Sequence, residues 1–318
     1  MMMNSSISKP LAALLALSSA GLFAGEAIEQ PVFDPAPSGF NGIRRPISNP
    51  TLFDLALPQT QVHAFYMHHK FPDMIDIIGG GQAPFGGDLN IYAIQLEYAL
   101  NDRFSIVATK DGYIDLNPDA TFNPDDGFAN LAAGLKYAFI YKPEIQYVMS
   151  GSAVVELPTG DSEVFQGRGD GSLNLSVQNA KLWDRWQFAS SLGVQIPFDD
   201  SFATISWASA HLSYEVNPWF IPLIELNWFH VLSDGDGTAF YENQGGATAP
   251  TVATFEGADL INWGAATSGG SDYVTAAIGF RSRLSERMDI GFAYEIPLTD
   301  DSENITDERF TLDLVWTF

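Results

Sequence analysis

Phe310-Thr311-Leu312-Asp313-Leu314-Val315-Trp316-Thr317-Phe318 closes the chain, and its reading decides the fold. Every second residue is large and apolar: Phe310, Leu312, Leu314, Trp316 and Phe318. Between them stand Thr311, Asp313, Val315 and Thr317. Successive strand side chains point to opposite faces, so this segment has one apolar face and one largely polar face. Such a strand fits either a sandwich with one buried face or a barrel with one face in lipid.

The same rhythm runs back through the chain to about residue 60. In Asn90–Leu100 the even positions Tyr92, Ile94, Leu96, Tyr98 and Leu100 are apolar, and the odd face carries Gln95 and Glu97. Phe128–Tyr141 sets Leu131, Leu135, Tyr137 and Phe139 against Asn130, Gly134 and Lys136. Arg185–Ile196, Ala203–Val216, Tyr273–Leu284 and Arg287–Leu298 repeat the pattern. Trp219–Leu232 is apolar on both faces, and Gln61–Phe71 alternates poorly. The tally is about twelve strands, an even number as in bacterial single-chain barrels. Connections alternate between short (Asn101-Asp102, Asn217-Pro218, Ser285-Glu286) and long (Phe71–Asp88, Asp115–Gly127, Pro158–Gly171, Ser233–Asp272). A sandwich has no reason to place its long loops on one side, whereas membrane barrels do so. These observations predict an all-β fold, a transmembrane antiparallel up-and-down barrel over 60–318.

Composition agrees. The chain is 46% hydrophobic and 13% aromatic but only 17% charged, below the ~25% charge usual in soluble domains. No segment offers the ~20 apolar residues of a membrane helix, so any membrane residence is by closed barrel. Lys9 followed by the apolar run Leu11–Leu17 and small residues predicts a signal peptide over 1–24. Residues 25–59 are rich in proline, which removes backbone donors. This segment is expected to be a periplasmic tail, or a plug whose Arg44 and Arg45 pair with interior carboxylates. A net charge of −24 excludes nucleic acid as a partner. Cysteine is absent, so thiolate chemistry and Cys-ligated metals are excluded.

The polar face of the strands supplies the candidate functional residues. Glu97, Arg103, Asp111, Lys136, Glu156, Trp207, His211, Glu215, Glu225, Arg281, Arg283 and Glu295 are expected to line the interior. Charges of both signs predict ion pairing, and bulky Trp207, Phe229, Tyr113 and Tyr273 predict a narrow bore. His211, Ser213 and Glu215 share one strand face and are the residue types of nucleophilic hydrolysis. A hydrogen-bonded interior network explains them equally. Asp234-Gly235-Asp236-Gly237 begins like a calcium loop, but the twelfth position is Gly245 where a glutamate is needed. No metal, cofactor or catalytic site is expected. The loop Ser233–Asp272 carries Phe240, Tyr241, Phe255 and Trp263, and is expected to fold over the barrel mouth.

The terminal aromatic strand, with Trp316 and Phe318, resembles the assembly signal of Gram-negative outer-membrane barrels. The His-x-Ser spacing of His211 and Ser213 resembles that of outer-membrane lipid A deacylases, although those are smaller barrels working on the lipid side. The whole layout over 60–318 resembles the outer-membrane barrels grouped with transporters of the meta-pathway of phenol degradation. That resemblance implies an outer-membrane channel for small solutes, hydrophobic or aromatic in class. It implies outer-membrane lipid and the barrel assembly machinery as partners. Alternatives are a structural or interaction barrel with a closed lumen and, third, a lipid hydrolase.

Overall fold

The computed structural model describes residues 39–40 and 42–318; the expected signal peptide and residues 25–38 of the expected tail or plug lie outside the described residues. Sixteen strands follow in order: β1 Gln61–Lys70, β2 Met74–Ile77, β3 Gly81–Pro84, β4 Gly87–Asn101, β5 Phe104–Lys110, β6 Tyr113–Pro118, β7 Asp125–Phe128 and β8 Leu131–Lys142. Then come β9 Tyr147–Leu157, β10 Ser172–Trp183, β11 Trp186–Pro197, β12 Thr204–Tyr214, β13 Ile221–Ser233, β14 Asp272–Ser285, β15 Met288–Pro297 and β16 Glu308–Thr317. The β2–β3 hairpin stands apart, and the other fourteen form one antiparallel sheet. β5 with β6, and β7 with β8, are two halves of single broken strands, so twelve strands make the wall. β1 pairs with both β4 and β16, from Gln61↔Glu97 to Lys70↔Asp88 and from Gln61↔Thr317 to Lys70↔Glu308. The sheet therefore closes and has no edge.

Burial follows the predicted alternation. Ile94, Leu96, Leu135, Tyr137, Ile224, Leu226, Ile278, Leu312 and Trp316 point outward, and Gln95, Glu97, Lys136, Glu225, Arg281 and Asp313 are buried inside. β1 reads poorly in the sequence because its faces are mixed. Phe65 and Met67 point inward beside His63 and His69, while His68 and Lys70 lie on the other face.

The two ends of the barrel differ. At the short-turn end, residues 42–59 enter the interior and return to β1. At the long-loop end, Ser233–Asp272 folds inward with the other long loops. Tyr241, Phe255, Leu260, Ile261 and Trp263 join Phe71, Phe85, Leu116, Phe165 and Ile305 in one apolar core across the mouth. Phe122 stacks on Trp263 at a centroid distance of 5.6 Å, and Phe165 meets both edge-on at 5.0 and 4.8 Å.

Leu135 and Ile278 are 49% and 65% exposed on the outer face. Arginine at either is expected to cost roughly 2–4 kcal/mol at mid-bilayer and to impair assembly. Arginine at inward Ser150 is not expected to meet that lipid penalty. Heat-modifiable mobility of the membrane fraction measures this, and equal behaviour of all three variants would contradict the in/out assignment.

Candidate functional site

The interior is built around the segment 42–59. Proline at 46, 50 and 58 keeps it extended, so its backbone groups need partners other than a ladder. The wall supplies them. Arg44 N–H donates to Gln187 Oε1 at 2.7 Å, and Gln187 Nε2 donates to Arg44 O at 2.6 Å. Glu225 accepts the N–H groups of Ile47 (3.0 Å) and Ser48 (2.7 Å). Trp207 Nε1 donates to Leu52 O at 3.1 Å, and Arg281 donates to Arg45 O at 2.9 Å.

Charges complete the fit. Arg44 meets Glu215 at 3.3 Å. Arg45 meets Asp54 of its own segment at 2.8 Å, and Asp54 meets Lys136 at 2.6 Å. Lys136 also meets Glu97 at 2.9 Å and is fully buried. Buried ions are costly unless paired and hydrogen-bonded, and this chain of alternating sign leaves each with an opposite neighbour. Apolar side chains of the segment sit where the wall is thin. Phe40, Phe53, Leu55 and Leu57 pack on Ala138, Ala180 and Ala189, and Ile47 packs on Ala277 and Ala293.

Most predicted interior residues are brought into this network. Glu156 meets Lys110 at 2.6 Å, Arg281 meets Asp313 at 2.8 Å, and Glu295 meets Arg309 at 3.4 Å. Arg283 lies between Glu215 (3.7 Å) and Asp289 (3.8 Å). Two are not interior. Arg103 is exposed at a short turn, its guanidinium over the Tyr141 ring. Asp111 also leaves the interior, because a register shift between Ala108 and Lys110 inserts one residue and reverses the faces beyond it. Lys110 takes the inward position instead. For the same reason Tyr113 points outward and does not narrow the bore. Trp316 and Phe318 stack at 5.3 Å on the outer face. Sequence reasoning missed Asp54, Lys110, His69 and Asp259. The inward alanines 138, 180, 189, 277 and 293 were the available signal, since small residues facing a lumen make room for something.

His211 sits between Ser213 and Glu225, not Glu215. Its Nδ1 is 2.7 Å from Glu225, and its Nε2 is 2.9 Å from Ser213 Oγ. Ser213 Oγ accepts Arg44 Nε–H at 3.0 Å and is buried under the segment. The geometry is that of a Ser-His-Glu relay, but the guanidinium stands where a substrate would have to approach.

Between the tip of the inner segment and the mouth lies a chamber with about 70 Å³ of water-accessible space. Thr51, Leu52, Lys110, Glu156, Asn174 and Gln195 line its lower part; Phe165, Arg168, Phe202, Tyr241 and Ile261 form its roof. Thr51 Oγ1, Asn174 Oδ1 and Arg168 Nε have no hydrogen-bond partner among the described residues. The roof is anchored to the wall by Asp259, which grips Arg309 through both oxygens at 2.9 and 3.1 Å. Arg309 Nε in turn donates to His69 Nδ1 at 3.1 Å.

With this geometry in hand, the comparisons are specific. The family model described as "Putative MetA-pathway of phenol degradation" matches residues 85–306. The structure is similar to an outer membrane channel from Pseudomonas putida F1, at 16% identity, over 82% of this chain and 96% of that one, with a TM-score of 0.53. It is also similar to the NanC porin, at 6% identity, over 81% of this chain and 100% of that one, with a TM-score of 0.47. The likeness to the Pseudomonas putida channel concerns the fold, that of an outer-membrane barrel. No curated protein matches the chain.

Within the roof, Glu256 accepts the N–H groups of Trp263 (2.5 Å) and Ala265 (2.8 Å) and the Ser268 hydroxyl (3.2 Å). Burial raises its pKa from 4.5 to about 8, against those hydrogen bonds. A carboxyl that holds its proton more tightly when folded stabilises most below its unfolded pKa. That stabilisation declines as pH rises from 4.5 and is lost above about 8. Protection of the amides over 233–271, taken relative to their intrinsic exchange rate at each pH, is therefore expected to fall between pH 6 and 9, and Glu256→Gln is expected to flatten that dependence. A wild-type loop indifferent to pH would refute it.

Proposed function

Because the chain belongs to the family described as "Putative MetA-pathway of phenol degradation", we propose that it is an outer-membrane channel for small solutes, of hydrophobic or aromatic class. The observation that carries this reading is the chamber. It lies against the β5–β11 side of the wall, between two closures that are chemically unlike. Below it, the segment 42–59 is a plug held mainly by hydrogen bonds and ion pairs. Above it, the roof is held mainly by apolar packing. The chamber's mixed lining, with rings of Phe165, Phe202 and Tyr241 above and a few polar atoms unpartnered inside, offers a small solute both apolar contact and hydrogen-bond partners. Passage requires the plug to leave its seat toward the periplasm and the roof to part.

The same observations bear on the alternatives. A purely structural barrel needs no chamber with unpartnered polar atoms. A hydrolase at Ser213 would need Arg44 removed and a substrate admitted deep inside the lumen.

Removing residues 43–57 is expected to turn a mostly closed barrel into one with steady conductance in planar bilayers. Asp54→Ala leaves Lys136 and Arg45 short of a partner. Breaking a buried pair on one side costs about 3–5 kcal/mol, so frequent openings are expected. A deletion variant that assembles but does not conduct would overturn the channel reading.

Selectivity follows from the mouth. Arg281, Arg283 and Arg309 are each neutralised by a carboxylate. The long-loop end of the barrel carries Asp73, Asp115, Asp119, Asp125, Asp126 and Asp170. A carboxylate-rich mouth concentrates cations. Reversal potentials in a salt gradient are expected to show cation preference that fades near 1 M, where the Debye length is about 3 Å. An anion-selective potential at low salt would refute this account.

A further inference from the structure

Resting on the channel reading, we propose that the chamber is a binding site for a small aromatic acid that also carries a hydroxyl group, with Arg168 as the anchor of its carboxylate. Three parts of the molecule enclose the chamber: the inner segment below, the wall beside it and the long loops above. Each contributes one polar atom without a partner among the described residues. They are Thr51 Oγ1 from the segment, Asn174 Oδ1 from the wall and Arg168 Nε from the loop before β10. Asn174 has the inward parity of Ser172 and Gln178 on β10 and is only 9% exposed. Its neighbours on that face are engaged. Ser172 Oγ accepts Gln195 Nε2 at 3.2 Å, and Gln178 Nε2 donates to Ser176 Oγ at 2.6 Å. The Asn174 oxygen is a buried acceptor on the chamber that only a donor from a solute or water can meet.

Charge decides the sign of the solute. The charged lining residues are Lys110, Glu156, Arg168 and Asp259. Glu156 accepts from Lys110, Asn130 and Gln195 at 2.6, 2.9 and 3.3 Å. Asp259 holds Arg309 through both oxygens. Both carboxylates are thus engaged, and a cationic solute gains little from either. Arg168 differs. Its ion-pair partner is Glu242, 64% exposed and 3.7 Å away, beyond hydrogen-bond reach. A planar guanidinium matches the two oxygens of a carboxylate side by side, and the Thr51 hydroxyl is a further donor for the same group. An ion that only accepts, such as sulfate, leaves the Asn174 oxygen unmet. A hydroxyl on the solute satisfies it.

The rest of the solute meets rings. Phe165, Phe202 and Tyr241 stand in the roof. The Tyr241 hydroxyl already donates to Asn262 O at 2.6 Å, so that residue offers the solute its ring. Phe165 and Tyr241 meet edge-on at a centroid distance of 5.2 Å. The chamber holds about 70 Å³ at rest, whereas a cavity of roughly 150 Å³ admits benzene. An aromatic ring therefore enters only as these side chains separate, exchanging ring–ring contact for ring–solute contact. Such a solute binds the parted roof better than the closed one, which is what opening by a ligand requires. The acidic mouth opposes entry of any anion; Arg168, behind it, favours the anion once inside.

The test titrates the full-length barrel in detergent with para-hydroxybenzoate, benzoate and phenol, following the heat of binding. Wild type is expected to bind para-hydroxybenzoate about tenfold more tightly than phenol, the weight of one charge-assisted hydrogen bond, and roughly threefold more tightly than benzoate. R168Q is expected to bring para-hydroxybenzoate and phenol to near-equal affinity. R168K, a point charge without the planar fork, is expected to keep part of the difference. Asn174→Leu is expected to remove the preference for para-hydroxybenzoate over benzoate. Heat-modifiable mobility verifies that each variant is a folded barrel. Equal affinity of the wild type for phenol and para-hydroxybenzoate, or a preference that survives R168Q, would overturn the site. Uptake of the same three compounds by proteoliposomes separates the two readings. Passage of phenol without any carboxylate preference in binding defeats the site alone. Binding without passage of any of the three defeats the channel reading and leaves a ligand-binding barrel.

Discussion

Everything in this molecule depends on one constraint: a backbone N–H or C=O cannot be left unpaired in hydrocarbon. Each such group costs several kcal/mol. β1 meets that constraint by pairing over its whole length with β4 on one side and β16 on the other. Closure then forces the alternation, because one face of every strand must suit lipid and the other an enclosed interior. It also forces the choice of side chains where the ladder between β4 and β5–β6 is interrupted. Asp111 and Gln95 each stand in for a missing strand partner there.

The interior poses a different problem. A polar lumen that is not full of water must pair its own charges. Lys136 has no exposure, and its ammonium is held by Asp54 and Glu97 together with Leu55 O. Asp54 belongs to the inner segment, so the wall's charge balance is incomplete without that segment in place. The relation is reciprocal. The extended, proline-interrupted segment has no ladder of its own and takes partners from Gln187, Glu225, Trp207 and Arg281. Wall and segment are each other's missing hydrogen bonds.

The fold was legible because lipid imposes a strict period of two over long stretches, as in Phe310–Phe318 and Asn90–Leu100. What escaped reading is where that period is broken or where partners are remote. Arg103 and Asp111 were assigned inward by parity. Parity fails for Arg103 at a strand end, and for Asp111 past the extra residue between Ala108 and Lys110. Nothing local announces that extra residue. Asp54 and Asp259 were missed because both lie outside the strands, and their partners Lys136 and Arg309 are 82 and 50 residues away. Glu225 was placed inward correctly. Its role as acceptor for Ile47 and Ser48 depends on a segment that sequence reading left as tail or plug.

The two closures also differ in what can release them. Apolar packing of Phe122, Phe165 and Trp263 is indifferent to moderate salt, and buried ion pairs such as Asp54–Lys136 are screened far less than exposed ones. Ionic strength alone therefore opens neither. A ligand shifts such an equilibrium only by binding the open form better than the closed one. For the roof, that means offering apolar surface to the rings it separates. For the segment, it means offering acceptors to Lys136 or Gln187 as Asp54 and the Arg44 carbonyl leave. Arg309 connects the two requirements, since it holds Asp259 of the roof at 2.9 Å while a second nitrogen lies 3.5 Å from Ser48 O of the segment.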